Sequence, residues 1–216
     1  EELLFARVAH WMRAGHNQYA PMPGCMPLRA AIAAKVEALY GARYDVEHEI
    51  TVTAGATQAL FTAVTACVHP GDEVIVFEPV YDSYAPAIEL AGGKVVRMRL
   101  AAPRYRPDWD AVAAAITPRT RMIMINSPHN PTATVWTRAD LDRLAALTRG
   151  TGIVVVADEV YEHIVFDGAT HASCAAHPEL AARSFVVSSF GKTYHITGWK
   201  VGYILAPREL MAEFRK

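Results

Sequence analysis

A lysine that follows a short apolar run is the residue of this sequence that most directly suggests covalent chemistry. Lys192 lies in the stretch SSFGKTYHITGWK, residues 188–200. A nucleotide-binding phosphate loop would require glycine at position 186, where the sequence has Val186, so that interpretation fails. A lysine amine can instead form a Schiff base with an aldehyde when desolvation or a nearby positive charge keeps it neutral. Lys192 is therefore a candidate nucleophile, and an exposed surface charge is the alternative.

Other polar residues follow apolar runs in the same way. Asp158 comes directly after IVVVA, Tyr161 lies three residues later, Asn130 lies in the loop after RMIMI, and Tyr81 follows EVIVF. A carboxylate buried after an apolar run needs a cationic partner, and a protonated ring nitrogen would supply one. Asn130 and Tyr161 carry donors for a ring oxygen, and Tyr81 offers a flat face for stacking. This set has the chemistry to bind a pyridine aldehyde.

A phosphate site is predicted where the ITVT run, residues 50–53, leads through AGAT into a helical pattern. The free N–H groups and the positive end of a helix bind anions there, which makes Ala56 and Thr57 candidate ligands. Ser189 and Lys200 can add a hydroxyl and a second cation.

An alternation of apolar runs and helical patterns must position these residues. Strands are predicted at 73–77, 94–100, 121–125, 153–157, 184–187 and 201–205, and helices at 57–68, 85–91, 109–116 and 138–149. Several of the runs are apolar throughout, which is typical of parallel strands covered on both faces. The pattern predicts an α/β fold, in which ligands bind beyond the carboxyl ends of the strands.

The amino-acid composition argues against several classes of function for this chain. The 216 residues are 52% hydrophobic with a formal net charge of −1, which favours one large globular domain and disfavours nucleic-acid partners. The three cysteines, Cys25, Cys67 and Cys174, are far apart, so neither disulfides nor zinc is predicted, and a reducing cytoplasmic compartment is favoured. No apolar run approaches the roughly 20 residues of a membrane helix.

The sequence lacks the residue patterns of metal sites, serine hydrolases and dinucleotide-binding sites. His163, His171 and His177 do not have the spacing of a metal-ligand set, and no metal is predicted. There is no Gly-x-Ser-x-Gly elbow of a serine hydrolase and no Gly-x-Gly-x-x-Gly of a dinucleotide site after a strand.

Six segments together resemble a known family: NQYAPMPG, AGATQAL, EPVYDSY, SPHNPTA, DEVYEHI and SSFGKTYHITGWKVGY. In this order and spacing they are similar to the class I/II aminotransferases of fold type I, which use pyridoxal 5'-phosphate. The similarity is greatest to the branch that contains methionine and kynurenine aminotransferases, and it extends over essentially all 216 residues.

The resemblance implies a role for each matching residue. Lys192 would bind the cofactor covalently and then act as base and acid in the proton shift, with Asp158 at the ring nitrogen. Asn130 and Tyr161 would bind the ring hydroxyl oxygen, and Tyr81 would stack on the ring. The phosphate ligands would be Ala56, Thr57, Ser189 and Lys200, joined by Tyr19 from the neighbouring subunit of a homodimer.

The resemblance also implies the extent of the domain. Residues 1–216 would form the large pyridoxal phosphate-binding domain, a mostly parallel sheet flanked by helices. Both ends of the chain look cut, and the N-terminal segment and the C-terminal small domain, with the substrate-carboxylate arginine, are expected to lie outside it. A polypeptide with these limits is expected to bind cofactor poorly and to be inactive. Two positions depart from many relatives: Ala133 replaces a glycine, and Lys200 replaces an arginine.

The expected activity is transfer of an amino group between an amino acid and a 2-oxo acid, small molecules both. Methionine or another bulky apolar or aromatic amino acid is the expected donor. Two alternatives remain open at this point: a pyridoxal phosphate-dependent C–S β-lyase, and a noncatalytic sensor domain of aminotransferase type.

Overall fold

A seven-stranded sheet with helices on both faces forms the structure, a computed structural model that describes residues 2–216. The strands are β1 (Ile50–Thr53), β2 (Glu73–Glu78), β3 (Lys94–Arg99), β4 (Thr120–Asn126), β5 (Val154–Asp158), β6 (Ser184–Ser189) and β7 (Gly202–Leu205). Their order across the sheet is β1-β7-β6-β5-β4-β2-β3. β7 pairs antiparallel with β1 and β6, and the remaining pairs are parallel. All strands except β7 therefore run in one direction.

The helices are α1 (Glu2–Arg13), α2 (Met26–Tyr40), α3 (Gly55–Cys67), α4 (Tyr84–Leu90), α5 (Trp109–Ala115), α6 (Arg138–Thr148), α7 (Pro178–Ala181), α8 (Phe190–Thr193) and α9 (Arg208–Phe214). The four segments with predicted helical spacing are α3 to α6, each correct to within two residues at either end. Side-chain caps fix the starts of three helices, and the cap of α8 is Ser189. Asp108 accepts from the N–H groups of Asp110 and Ala111, and Thr137 forms a capping box with Asp140.

Both faces of the sheet are buried. Successive residues of one strand, such as Ile75 and Val76 of β2, belong to two different apolar clusters. The first cluster lies against α2 and α6, and the second lies against α3 and α9. Burial on both faces explains why the strands read as continuous apolar runs, and the predicted mostly parallel α/β sheet is confirmed. The antiparallel direction of β7 and the presence of α2 were not among the predictions.

Over residues 2–216, no helix is both long enough and apolar enough to cross a lipid bilayer. In the same part of the chain, no three His, Cys, Asp or Glu side chains come together as a possible metal-ligand set.

Candidate active site

A cavity of about 190 Å³ lies at the edge of the sheet where the carboxyl ends of β4, β5 and β6 meet the start of α3. Nine of the ten predicted cofactor residues line it: Ala56, Thr57, Tyr81, Asn130, Asp158, Tyr161, Ser189, Lys192 and Lys200. The tenth, Tyr19, is fully exposed and does not line this cavity. The convergence follows from sheet topology, because parallel strands end at the same edge.

Lys192 lies in α8, which begins directly after β6. The hydroxyl of Ser189 accepts a hydrogen bond from the N–H of Gly191 at 3.1 Å and so fixes the turn from strand to helix. A side chain at Gly191 would come within 3.0 Å of the Cα of Thr197, so glycine allows this close packing. The Nζ of Lys192 lies 5.3 Å from the ring centroid of Tyr161. Lys192 thus has a fixed backbone and an accessible amine that faces an aromatic ring.

Asp158 is the last residue of β5, and only 4% of it is exposed. Its carboxylate accepts a hydrogen bond from the hydroxyl of Tyr84 at 2.5 Å and one from the N–H of Val160 at 3.3 Å. Burial raises the pKa of Asp158 to about 6, and the charge of Glu159 also raises it. The bonds from Tyr84 and Val160 and the charge of Lys192 oppose this rise without cancelling it. A cationic group placed against this carboxylate would stabilise its ionised form.

Two residues without a predicted role hold Asp158 in place. Asn126, the buried last residue of β4, donates from Nδ2 to the carbonyl oxygen of Asp158 at 2.9 Å. Its Oδ1 accepts from the N–H of Asn130 at 2.7 Å, so one amide connects two cavity residues. Tyr84, for which the sequence predicted no role, is the hydroxyl donor to Asp158. Asn126 directly follows an apolar run, as Asp158 does. That position in the sequence could have identified Asn126 as a site residue.

The part of the cavity at the start of α3 depends on close backbone contact between α3 and β7. A Cβ at Gly202 would lie 2.8 Å from both the nitrogen of Ala56 and the carbonyl carbon of Gly55, and 2.9 Å from the oxygen of Ser188. Lys200 adopts φ 54° and ψ 49°, a left-handed conformation that costs an L-residue about 1–2 kcal/mol. Strain of this kind concentrates at binding sites, and here it places a lysine beside the start of α3.

The cavity fits pyridoxal phosphate by the chemistry of its donors. The N-terminus of a 13-residue helix, a lysine amine and a buried carboxyl with a raised pKa all lie at this cavity. The side chains of Leu60 and Val160 add apolar surface to the same cavity. A phosphorylated aldehyde with a basic ring nitrogen is the kind of ligand that uses all of these groups.

A second, more open cavity of about 430 Å³ shares Asn130 and Tyr161 with the first. Its wall includes Ala133, the residue at which the resemblance implied a departure from the family pattern. Ala133 has φ 58°, in the left-handed region that favours glycine, and its N–H donates to the oxygen of His129 at 2.8 Å. The departure from the family pattern therefore carries a backbone cost at this position.

Comparison with known proteins identifies the family. The family model for aminotransferase class I and II matches residues 7–216. Methionine aminotransferase of Escherichia coli is 57% identical over 210 residues, which cover 97% of this chain and 54% of that protein. Kynurenine–oxoglutarate transaminase 1 of Mus musculus is 37% identical over 210 residues, which cover 92% of this chain and 50% of that protein.

Solved structures agree with this result. A crystal structure from Escherichia coli described with a methionine aminotransferase function has a TM-score of 0.98 and 56% identity, over 100% of this chain and 57% of that chain. N-succinyldiaminopimelate aminotransferase from Mycobacterium tuberculosis has a TM-score of 0.96 and 42% identity, over 100% and 56%. The resemblance and the fold class are confirmed. The chain spans about half the length of the curated relatives it matches.

Proposed function

The chain belongs to the class I and II aminotransferases, and from this premise we propose that its site binds pyridoxal phosphate and transfers an amino group between an amino acid and a 2-oxo acid. The observation that carries the proposal is one cavity that contains Lys192, the buried Asp158 and the start of α3. The proposed donor is methionine or another bulky apolar or aromatic amino acid, which rests on the similarity to methionine aminotransferase. The activity is proposed for the whole protein, and we propose that residues 1–216 form its large domain.

Asp158 would bind the ring nitrogen of the cofactor. When bound, pyridoxal phosphate supplies a pyridine ring that withdraws electrons from the carbon bearing the amino group. Asp158 holds the proton on the ring nitrogen, because a buried carboxylate is stabilised by an adjacent cation. Asn126 and Tyr84 keep the carboxylate in position through the backbone and through Oδ2.

Lys192 would hold the aldehyde carbon of the cofactor at Nζ before substrate arrives. When it is free, the same amine would take a proton from the substrate carbon as a base and give it up again as an acid, which is general acid–base chemistry by one group. The ring of Tyr161, 5.3 Å from Nζ, stabilises the protonated amine.

The remaining residues would orient the cofactor. The N–H groups of Ala56 and Thr57, the hydroxyl of Ser189 and the ammonium of Lys200 would bind phosphate, because these residues line the cavity at the positive end of α3. Asn130 and Tyr161 would donate to the ring hydroxyl oxygen, and Tyr81 would pack against the ring face. We further propose a cytoplasmic homodimer in which Tyr19, fully exposed in this chain, reaches the cofactor phosphate of the partner subunit.

The two lysines of the cavity allow a matched test in the full-length protein. After incubation with pyridoxal phosphate and reduction with borohydride, peptide mass spectrometry should find the cofactor attached to Lys192. Lys192→Ala should lose this adduct and all transamination. Lys200→Ala should keep the adduct and raise the Kd of the cofactor, because it removes a phosphate contact. An adduct on another lysine in the unmodified protein would refute the assignment.

Product analysis tests the reaction itself. Methionine and a 2-oxo acid should give the 2-oxo acid of methionine and a new amino acid in equal amounts. Release of ammonia and pyruvate from a cysteine conjugate, without any requirement for a 2-oxo acid, would instead establish the C–S β-lyase.

A further inference from the structure

A second buried acid lies behind the site and has no part in the function described so far. Glu162 follows Tyr161, and only 2% of its side chain is exposed. Its carboxylate accepts from the Nζ of Lys35 at 2.6 Å and from the hydroxyl of Tyr40 at 2.5 Å. The hydroxyl of Ser188 donates to the same oxygen as Lys35, and the hydroxyl of Tyr203 lies 3.3 Å from that oxygen.

The carboxylate of Glu162 is held in its ionised form. Burial alone would raise its pKa, but the charge of Lys35 and the hydrogen bonds from Lys35, Ser188 and Tyr40 outweigh burial, so the pKa is lowered. A buried ion pair of this kind contributes little net stability, and loss of one partner alone is costly.

The partners of Glu162 come from three different elements. Lys35 and Tyr40 belong to α2, Ser188 to β6 and Tyr203 to β7. Glu162 itself lies in the turn after β5, which is closed by hydrogen bonds from the N–H of Glu162 to Glu159 and from the N–H of Ile164 to Tyr161. One carboxylate thus joins this turn to a helix and two strands.

Two members of this cluster, Glu162 and Ser188, are sequence neighbours of residues that line the cavity. Tyr161 and Ser189 line the cavity, whereas their neighbours Glu162 and Ser188 are buried and bonded to each other. Ser188 and Ser189 are successive residues of β6 and point to opposite faces. The bond from Ser188 to Glu162 therefore ties the turn that carries Tyr161 to the strand that carries Ser189. The ring centroid of Tyr161 lies 5.3 Å from the Nζ of Lys192.

We propose that Glu162 is a positioning residue for the transamination site: by binding Lys35, Tyr40 and Ser188 it holds the turn that aims Tyr161 at the cofactor. This rests on the proposed function, because it assigns Tyr161 a contact with the cofactor ring oxygen. Glu162 itself touches neither cofactor nor substrate.

A double-mutant cycle in the full-length, cofactor-loaded protein tests the proposal. The measured quantity is the pKa of the cofactor-bound lysine nitrogen, read from absorbance against pH. Tyr161→Phe should raise this pKa, because loss of the hydroxyl leaves more negative charge on the ring oxygen and that charge favours the protonated nitrogen. Glu162→Gln should raise it in the same direction by about 0.5 to 2 pH units. In the Tyr161→Phe background, Glu162→Gln should add nothing.

The control is another buried carboxylate with similar partners. Glu73, 3% exposed at the opposite edge of the sheet, binds Arg119 at 2.8 Å and the hydroxyl of Thr117 at 2.7 Å. Glu73→Gln should lower the melting temperature and leave the absorbance titration unchanged. If Glu162→Gln does not fold, Lys35→Met/Glu162→Gln removes both charges and should show the same rise in pKa.

The possible results distinguish the contact assigned to Tyr161 from the positioning role assigned to Glu162. No change in Tyr161→Phe would overturn the contact assigned to Tyr161 and the role of Glu162 with it. A rise in Tyr161→Phe but not in Glu162→Gln would overturn the role of Glu162 alone. Additive rises in the double variant would also overturn it, because Glu162 would then act independently of Tyr161.

Discussion

The carboxyl of Asp158 should make the cofactor-free protein less stable as the pH rises, and Asp158→Asn should remove that effect. The side chain is buried, and its pKa in the folded protein is about 6 against an ordinary value of 3.8. A carboxyl whose pKa is raised by folding contributes stability that is fully present below pH 3.8 and lost as the pH rises through 6. Folding therefore favours the protonated form of the Asp158 carboxyl.

The size of the effect follows from the two pKa values. They differ by about 2.2 pH units, and at about 1.36 kcal/mol per unit the ionised form costs about 3 kcal/mol at pH 8. About half of this cost is present at pH 5. Asparagine has the shape of the neutral acid and still accepts the hydrogen bond from Tyr84. Asp158→Asn should thus match the original protein near pH 3.5 and exceed its stability by up to about 3 kcal/mol at pH 8.

Urea denaturation of the cofactor-free protein between pH 4 and pH 8 measures this difference directly. Addition of pyridoxal phosphate should reverse the order, because the original protein gains a cation beside Asp158 and the variant does not. Asp82→Asn, at an exposed carboxylate near the cavity residue Tyr81, is the control and should stay within about 0.5 kcal/mol throughout. A stability difference for Asp158→Asn that does not change with pH would refute the reasoning.

Two further predictions concern the backbone. Gly202→Ala should destabilise the protein by about 1–3 kcal/mol and weaken binding of pyridoxal phosphate more than that of pyridoxal, because its Cβ meets the nitrogen of Ala56 at 2.8 Å. Gly152→Ala, in open space, is the control. Equal losses of affinity for both ligands in Gly202→Ala would contradict the phosphate assignment. Ala133→Gly should stabilise the protein by up to about 1.5 kcal/mol in thermal unfolding, because glycine relieves the strain of φ 58°. The control Ala146→Gly, on the exposed face of α6, should destabilise the protein by about 1 kcal/mol. Destabilisation by both substitutions would show that Ala133 is unstrained.

The strands and the candidate cavity could be predicted because burial on both faces leaves continuous apolar runs. Asp158 follows such a run directly, and Lys192 and Asn130 follow others within a few residues, so their meeting required only that the strands be parallel. The assigned roles of these residues stay predictions.

The interactions that support the site could not be predicted in the same way. Tyr84 and Asp158 are 74 positions apart, and Lys35 and Glu162 are 127 apart, so neither bond leaves a local pattern. The direction of β7 is also hidden, because a four-residue strand that is buried throughout reads the same in either direction.

The position of β7 determines when the site can come into existence during folding. This last strand pairs with β1 through Thr53 and Gly202, which are far apart in the sequence, and it lies between β1 and β6. Closing such a long loop is entropically costly, and contacts of this kind form late. The corner between α3 and β7 therefore forms only after residues 202–205 have been inserted into the sheet. A phosphate-bearing ligand that bound this corner would stabilise only a chain whose sheet is already assembled.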